Sequence, residues 1–383
     1  MNWKHSYILP TVLLILPVGS SAEYHRADMV REEALFHHSF RYAPPRPESD
    51  RPDWNPLELS AVDRLPEKRG LTALHYASSN ENRIDLFRKH IENLGGGYVG
   101  VGTDQNLTLI AWARSEYAYL MDFDPVVVGV NRIHLFFLEI APDPETFRAL
   151  WMTRRATATK LVRERFKDDP DYRTIMKAWD VATTTWKPVP SRFRRLRKLE
   201  RRFGLKHFLN DERDFLYLKN LVAADRIIAV PGDLRGDTTL RGISRVARGL
   251  DVPVRVLYVS NAEDYFKEFG RGYRANILDL PVDRRSLIVR TCSIKGKALG
   301  APVGELIPKK PFHYNIQPLL NMQEWMYRGI SGGIFALLSR HRTMIGKGIS
   351  VVQRRPAPRQ SDPRNDARNR RVQRDIGGRY YGE

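Results

Sequence analysis

Two glycines and an acidic residue in the first half of the chain have the spacing of a nucleoside-binding site. Gly100 and Gly102 follow a short apolar segment, and Asp122 ends the next one, about twenty positions further on. Glycine lets backbone approach a ligand closely, and a carboxylate can accept two ribose hydroxyls. Asp104 and Gln105 complete the turn, so they are predicted to contact the same ligand.

Further polar residues follow the next two apolar segments. Asp233, in "PGDLRGD", is predicted to bind the same cofactor. Ser260, Asn261, Glu263 and Tyr265, in "YVSNAEDYF", are candidates for a catalytic group, which stays unassigned. The structural alternative is that Asn261 caps a helix and Glu263 is a first-turn acid stabilised by the helix dipole.

Several other chemistries are disfavoured by the sequence. Gly95, Gly97 and Gly100 match G-x-G-x-x-G, but this match precedes a predicted strand and cannot cradle a pyrophosphate. The chain has no P-loop. Its single cysteine, Cys292, lies in an apolar run and is predicted to be a buried structural thiol. The histidines lack metal-ligand spacing, so no metal is expected.

Apolar segments that alternate with helical patterns must position these residues. Strands are predicted at 98–101, 117–123 and 286–294, and two further strands are predicted to end near residues 230 and 259. Helices are predicted at about 67–93 and 105–114, and Gly95 to Gly97 should end the first. This alternation predicts an α/β fold, with a Rossmann-like, doubly wound, mostly parallel sheet. A helical insertion at about 129–224 separates strands two and three.

The ends of the chain have a different composition. Residues 1–22 combine Lys4, an apolar stretch and small residues, which predicts a signal peptide and an exported, periplasmic or extracellular protein. An uncleaved membrane anchor is the alternative, and no other segment is apolar enough to span a bilayer. Residues 23–66 form a proline-rich lead-in, 67–352 the α/β domain, and 353–383 a basic tail predicted to be disordered.

The chain is strongly basic, with a net charge of +19. Much of this charge lies in the tail and in "SRFRRLRKLERRFGLK" at 191–206. Such a run is typical of a solvated helix face, and it also suits contact with anionic lipid or nucleic acid. The run shows no aromatic interleaving of the stacking type, which makes binding of nucleic acid or anionic lipid the weakest of the functional hypotheses.

The order of these motifs resembles class I S-adenosylmethionine-dependent methyltransferases over residues 67–330. More narrowly, "GYVGVGTDQN…YLMDFD…VPGDL…YVSNAEDYF…YNIQ" resembles an uncharacterised family of exported bacterial proteins with this fold. The resemblance implies S-adenosylmethionine as cofactor, with its methionine part near the glycine turn. It further implies that Asp122 holds the ribose, that Asp233 lies near the adenine amino group, and that Ser260 and Asn261 face the substrate.

The turn differs from the acid-x-G-x-G-x-G pattern usual in methyltransferases. Tyr98 stands at the acid position and Asp104 at the third glycine. Three hypotheses follow. The first is an exported S-adenosylmethionine-dependent transferase acting on a small or lipid-like substrate. The second is a non-catalytic envelope binding or scaffold protein that has lost cofactor binding, and the third is a binder of anionic lipid or nucleic acid.

Overall fold

The computed structural model describes residues 57–65, 75–184, 187–294, 299–305 and 311–356. The predicted signal peptide at 1–22 lies outside the described residues. So do most of the predicted lead-in at 23–66 and most of the predicted tail at 353–383. In the part of the chain that the structure describes, no helix combines the length and apolar character needed to cross a bilayer.

In the part of the chain that the structure describes, eight strands form a single sheet. They are β1 (Gly97–Gly100), β2 (Tyr117–Asp122), β3 (Ile227–Pro231), β4 (Val254–Ser260), β5 (Leu287–Ser293), β6 (Phe312–Pro318), β7 (Thr343–Gly346) and β8 (Ile349–Val351). Their order in the sheet is β3-β2-β1-β4-β5-β6-β8-β7.

The first five strands of this order run parallel, and β6 pairs antiparallel with β5. From β1 the chain first builds outward through β2 to β3, then returns to the other side of β1 with β4. Open α/β sheets bind ligands where the order reverses in this way. The predicted fold class, a Rossmann-like and mostly parallel sheet of the methyltransferase type, is confirmed by this topology.

Twelve α-helices surround the sheet in the described residues. They are α1 (Asp85–Ile91), α2 (Gln105–Ala113), α3 (Pro125–Ile140), α4 (Pro144–Met152), α5 (Arg155–Phe166), α6 (Tyr172–Thr184), α7 (Val189–Phe203), α8 (Glu212–Ala223), α9 (Thr239–Gly249), α10 (Arg271–Asp279), α11 (Leu319–Arg328) and α12 (Ile334–His341). Helices α3 to α8 lie between β2 and β3, where the sequence predicts a helical insertion.

Each face of the sheet has its own hydrophobic core. Side chains of a strand alternate between faces, and Tyr98 packs with helices α1 to α8 while its neighbour Val99 packs with α9 to α12. Tyr119 and Leu120 divide between the same two cores. Strands covered on both faces have no polar side, which explains the continuous apolar runs in the sequence.

The first predicted helix, at about 67–93, is wrong in its extent. The described residues 75–84 form no helix, and α1 begins only at Asp85. Backbone N–H groups in this segment donate to distant side chains instead of helical carbonyls: Ser79 to Asp104 and Asn82 to Glu305. Residues 75–84 therefore cross the end of the sheet as an extended strap.

The helix predicted after Asn261 is also shorter than expected. A 3₁₀ helix covers Ala262–Tyr265, and the side chain of Asn261 does not cap it. The following α-helix starts only at Arg271, after Gly270. Cys292 is buried in β5, as predicted.

Candidate functional site

A cleft of about 420 Å³ opens at the carboxyl ends of the parallel strands. Loops after β1, β2, β3 and β4 line it, together with the strap at 76–80. Seven of the ten residues predicted from sequence line this cleft: Gly102, Gln105, Asp122, Asp233, Ser260, Asn261 and Tyr265. The other three, Gly100, Asp104 and Glu263, lie outside the lining.

Gly102 and Asp122 form one hydrogen-bonded unit at the rim. Gly102 has a φ of +90°, a conformation that favours glycine, and its N–H donates to Asp122 Oδ2 over 3.0 Å. Asp122 Oδ1 accepts the N–H of Asp124 over 2.9 Å. Asn131 of α3 donates to the Gly102 carbonyl over 2.8 Å. Asp122 thus fixes the glycine turn while it faces the cleft.

Gly100 lies behind this turn, where close packing leaves no room for a side chain. A Cβ atom at this position would lie 2.1 Å from Asn106 Oδ1, so no other residue fits without rearrangement. The Tyr98 hydroxyl donates to the same Asn106 oxygen over 2.7 Å. Burial raises the pKa of Tyr98 well above its ordinary value, so this hydroxyl stays protonated and does not replace the acid usual at its position.

The structure assigns Asp104 to the framework rather than to the ligand. Its Oδ2 accepts Arg192 Nε over 2.8 Å and its Oδ1 accepts the Ser79 N–H over 2.7 Å, and both charged side chains are buried. Burial alone would raise the pKa of Asp104, but Arg192 and the Ser79 hydrogen bond reverse the effect and hold it below its ordinary value. Arg192 belongs to α7, in the helical insertion.

Gln105 lines the cleft, but its side chain is held inside the protein. The residue is 3% exposed, and its amide nitrogen donates to the Tyr258 hydroxyl over 3.2 Å. Its Oε1 is buried as well, and among the described residues no donor reaches it. A buried polar atom without a partner is costly.

Asp233 lies at the cleft beside Arg235. The Arg235 guanidinium donates to both carboxylate oxygens of Asp233, at 3.2 and 3.0 Å. The same guanidinium stands 5.2 Å from the centre of the Phe266 ring. Asp233 is therefore positioned as predicted, and its charge is largely compensated.

Ser260 connects the cleft to a buried carboxyl group that the sequence did not reveal. It ends β4 with a φ of +48°, strained for a residue with a side chain, and its hydroxyl donates to Glu81 over 2.6 Å. Tyr258 and Thr291 donate to the same carboxyl over 2.5 and 2.9 Å. Burial raises the pKa of Glu81 in spite of these hydrogen bonds.

A second buried acid, Glu305, lies beside this group. One of its oxygens accepts the Asn82 N–H over 3.0 Å and the Tyr314 hydroxyl over 2.9 Å. Burial, assisted by the nearby charge of Glu81, raises the pKa of Glu305 to about 8. The strap thus carries one carboxyl group held in a desolvated environment, that of Glu81, and contacts a second one, that of Glu305.

Glu263 is not available for acid–base chemistry at the cleft. It is buried 2.7 Å from Arg290 Nε, and Tyr273 donates a hydrogen bond to its other oxygen. The prediction that placed it at the site is corrected, since its ion pair holds β5 to the 3₁₀ helix. Tyr265 instead lies at the rim and is 55% exposed, and Asn261 also lines the cleft.

The cleft is acidic and aromatic. Four aspartates line it, Asp122, Asp124, Asp233 and Asp264, whereas Arg235 is the only lysine or arginine among the described lining residues. Six aromatic side chains join them, and sequence spacing gave no sign of their convergence: Tyr76, Phe123, Tyr265, Phe266, Phe312 and Phe335. Asp124 also caps α3 through the Val126 N–H, the turn role expected of an acid before proline.

No cluster of three or more potential metal ligands occurs within the described ranges. The polar groups facing the cleft, a backbone turn, carboxylates and an amide, suit an organic ligand that carries hydroxyl or amine donors.

The fold and the cleft define a Rossmann-like α/β protein of the methyltransferase type. The sequence model described as "Domain of unknown function (DUF7790)" matches residues 76–351, and the chain belongs to this family. No curated protein matches the chain.

Two solved structures of the rRNA methyltransferase aviRa from Streptomyces viridochromogenes are similar to the chain. The first, at 2.4 Å, is 15% identical with a TM-score of 0.28, and the match covers 72% of this chain and 95% of that one. The second, at 1.5 Å, is 14% identical with a TM-score of 0.25, covering 66% and 85%. The fold assignment itself rests on the strand order.

Proposed function

We propose that the cleft binds S-adenosylmethionine and that the protein is a transferase using this cofactor, with a substrate still to be identified. The observation that carries the proposal is the acidic lining of the cleft in a chain of net charge +19. S-adenosylmethionine is a nucleoside with a net positive charge, and carboxylates favour a cation nearby. When bound, it supplies an electrophilic carbon on its sulfonium centre.

The protein groups have separate roles in this proposal. Asp122 accepts the ribose hydroxyls as well as its two backbone N–H groups, because a carboxylate has about four acceptor sites. Gly102 gives the ligand close access to backbone.

The same lining disfavours phosphate-bearing nucleotides. Sites for such ligands use arginine, lysine or a helix N-terminus to meet the phosphate charge. Here Arg235 already pairs with Asp233. A phosphate in this cleft would face four aspartates, and the one arginine in the described lining is already paired.

A non-catalytic binding protein of this fold is the second candidate. One observation favours it: the predicted acid–base residue Glu263 is held in a buried ion pair with Arg290. This candidate shares the cofactor-sized cleft but predicts no turnover of a bound S-adenosylmethionine.

Isothermal titration calorimetry of the whole chain tests the proposal through a series of ligands. We expect S-adenosylmethionine to bind more tightly than neutral S-adenosylhomocysteine, and ATP to bind most weakly. Asp122→Asn should weaken S-adenosylmethionine binding about tenfold or more, since it replaces a charged acceptor. Asp237→Asn, in an exposed position outside the cleft lining, is the matched control and should bind like the wild type.

Two outcomes would contradict the cofactor proposal. One is no heat of binding for S-adenosylmethionine at about millimolar ligand, a weak affinity for any specific site. The other is ATP binding as tightly as S-adenosylmethionine. The ligand series uses unmodified protein, so it stays informative even if Asp122→Asn disturbs the glycine turn. Binding without conversion to S-adenosylhomocysteine across acceptor mixtures would favour the non-catalytic candidate.

We propose in addition that the protein is exported, on the strength of residues 1–22. Alkaline phosphatase, which needs its disulfides and hence an oxidising compartment, should be active in a bacterial host when fused after residue 22. The same fusion without residues 1–22 is the control and should be inactive. An inactive but abundant full fusion would refute export.

A further inference from the structure

Helix α7 presents a continuous basic stripe to solvent. Arg194, Arg197, Lys198, Arg201 and Arg202 are all exposed, at spacings of three and four residues. Side chains so spaced occupy one face of a helix. The helix has 15 residues, which corresponds to a length of about 22 Å. The stripe is therefore a linear array of positive charge.

Unlike Arg88 and Arg114, these cations have no carboxylate partner among the described residues. Arg88 pairs with Glu92 at 2.9 Å and Arg114 with Asp214 at 2.7 Å. No acidic group of the described residues lies within ion-pair distance of the five stripe residues. The Arg202 guanidinium stands 5.1 Å from the centre of the Phe203 ring. Their mutual repulsion is thus uncompensated within the described structure, and an external polyanion would relieve it.

The opposite face of α7 rules out insertion into a membrane. Its apolar residues Val189, Phe193, Leu196 and Leu199 are buried in the protein core. None of the exposed large hydrophobic residues of the described chain lies on α7. Interfacial helices need an apolar face free to enter the lipid. Arginine forks, by contrast, match the geometry of phosphate oxygens.

The N-terminal end of α7 adjoins the cleft. Lys187, two residues before the helix, places its ammonium 5.5 Å from the centre of the Tyr76 ring. Its carbonyl accepts the Ser78 hydroxyl over 2.8 Å, and both Tyr76 and Ser78 line the cleft. Aromatic side chains in the cleft supply stacking surfaces beside this end of the helix.

We propose that the outer face of α7 binds the phosphate backbone of a single-stranded nucleic acid. The stripe holds successive phosphates, and a base beyond its N-terminal end stacks on the aromatic side chains of the cleft. Binding at α7 needs no cofactor, so this inference stands or falls independently of the proposed function.

Fluorescence anisotropy with a labelled oligo(dT) or oligo(U) of about twenty nucleotides tests the inference on the full chain. We expect log Kd to rise linearly with log salt concentration between about 50 and 300 mM. The triple variant Arg194→Gln/Arg197→Gln/Arg201→Gln should bind at least tenfold more weakly at 100 mM salt. Its salt slope should fall by about 2, since each lost phosphate contact removes about 0.7.

A matched triple variant separates location from total charge. Arg155→Gln/Arg163→Gln/Arg173→Gln removes three exposed arginines from α5 and α6 and should retain wild-type affinity and slope. Equal weakening in both variants would refute a site on α7, as would unchanged binding in the α7 variant. Failure of the wild type to bind either oligonucleotide at 50 mM salt would also refute it. The last arm uses vesicles with one-third phosphatidylserine. If these vesicles retain the wild type but not the α7 variant, and neither oligonucleotide binds, the stripe binds lipid and the proposal is refuted.

Discussion

Replacing Arg192 with methionine should lower the free energy of unfolding by about 3 to 5 kcal/mol, the usual cost of removing one partner from a buried ion pair. Asp104 would then keep a buried charge with hydrogen bonds from the Ser79 N–H and the Thr103 hydroxyl but no cation beside it. The carbonyl of Glu81, which accepts Arg192 Nη1 over 2.7 Å, would lose its donor as well. Urea unfolding at pH 7 measures the loss.

A double variant tests whether the ion pair is the cause. Arg192→Met/Asp104→Asn removes both charges and keeps an acceptor for Ser79, so it should recover much of the lost stability. Arg194→Met makes the same change at an exposed position of α7 and should cost less than about 0.5 kcal/mol. A loss below about 1 kcal/mol for Arg192→Met would show that the pair is not an essential counter-charge.

Glu305→Gln should make the protein less sensitive to alkaline pH. The pKa of Glu305 lies at about 8 in the folded protein against an ordinary value of 4.5. Between these values the folded state holds a proton that the unfolded chain has released, so wild-type stability falls as pH rises. The fall is on the order of 1.4 kcal/mol per pH unit, or about 4 to 5 kcal/mol over the full window.

Glutamine cannot ionise, so the variant does not lose stability through this group as the pH rises. The variant should gain stability relative to the wild type from about pH 5 to pH 8, and the gain should then level off. Urea unfolding at intervals of one pH unit measures the difference in unfolding free energy between the variant and the wild type. Groups that titrate in both proteins cancel in this difference. One of them is buried His134, whose pKa burial lowers to about 4. Glu92→Gln, at an exposed position, is the control. A difference that is flat with pH would contradict a shifted Glu305.

The sheet could be predicted from sequence because its signals are local. Continuous apolar runs, the glycines beside them, and the acid that ends β2 all lie within short windows around Gly102 and Asp122. The carboxyl edge of such a sheet is a fixed place, so most residues assigned to strand ends line the cleft. The mostly parallel direction of the strands then followed from their alternation with helices.

The rest of the site depends on contacts that no short window contains. Asp104 meets Arg192 across 88 positions, and Asn82 meets Glu305 across 223. The strap reads as a helix because its apolar spacing is helical, yet its N–H groups bind side chains from other segments. Glu263 appears equivalent to Ser260 in sequence, but the 3₁₀ turn after β4 directs it into the core toward Arg290.

The bond between Arg192 and Asp104 has a consequence for how this fold can change. The helices between β2 and β3 resemble an added domain, yet one of them supplies the counter-charge of the loop that follows β1. Shortening the chain to a minimal sheet would leave a buried carboxylate alone at the edge of the cleft. The insertion and the cleft therefore depend on each other: removing or exchanging one requires changes in the other.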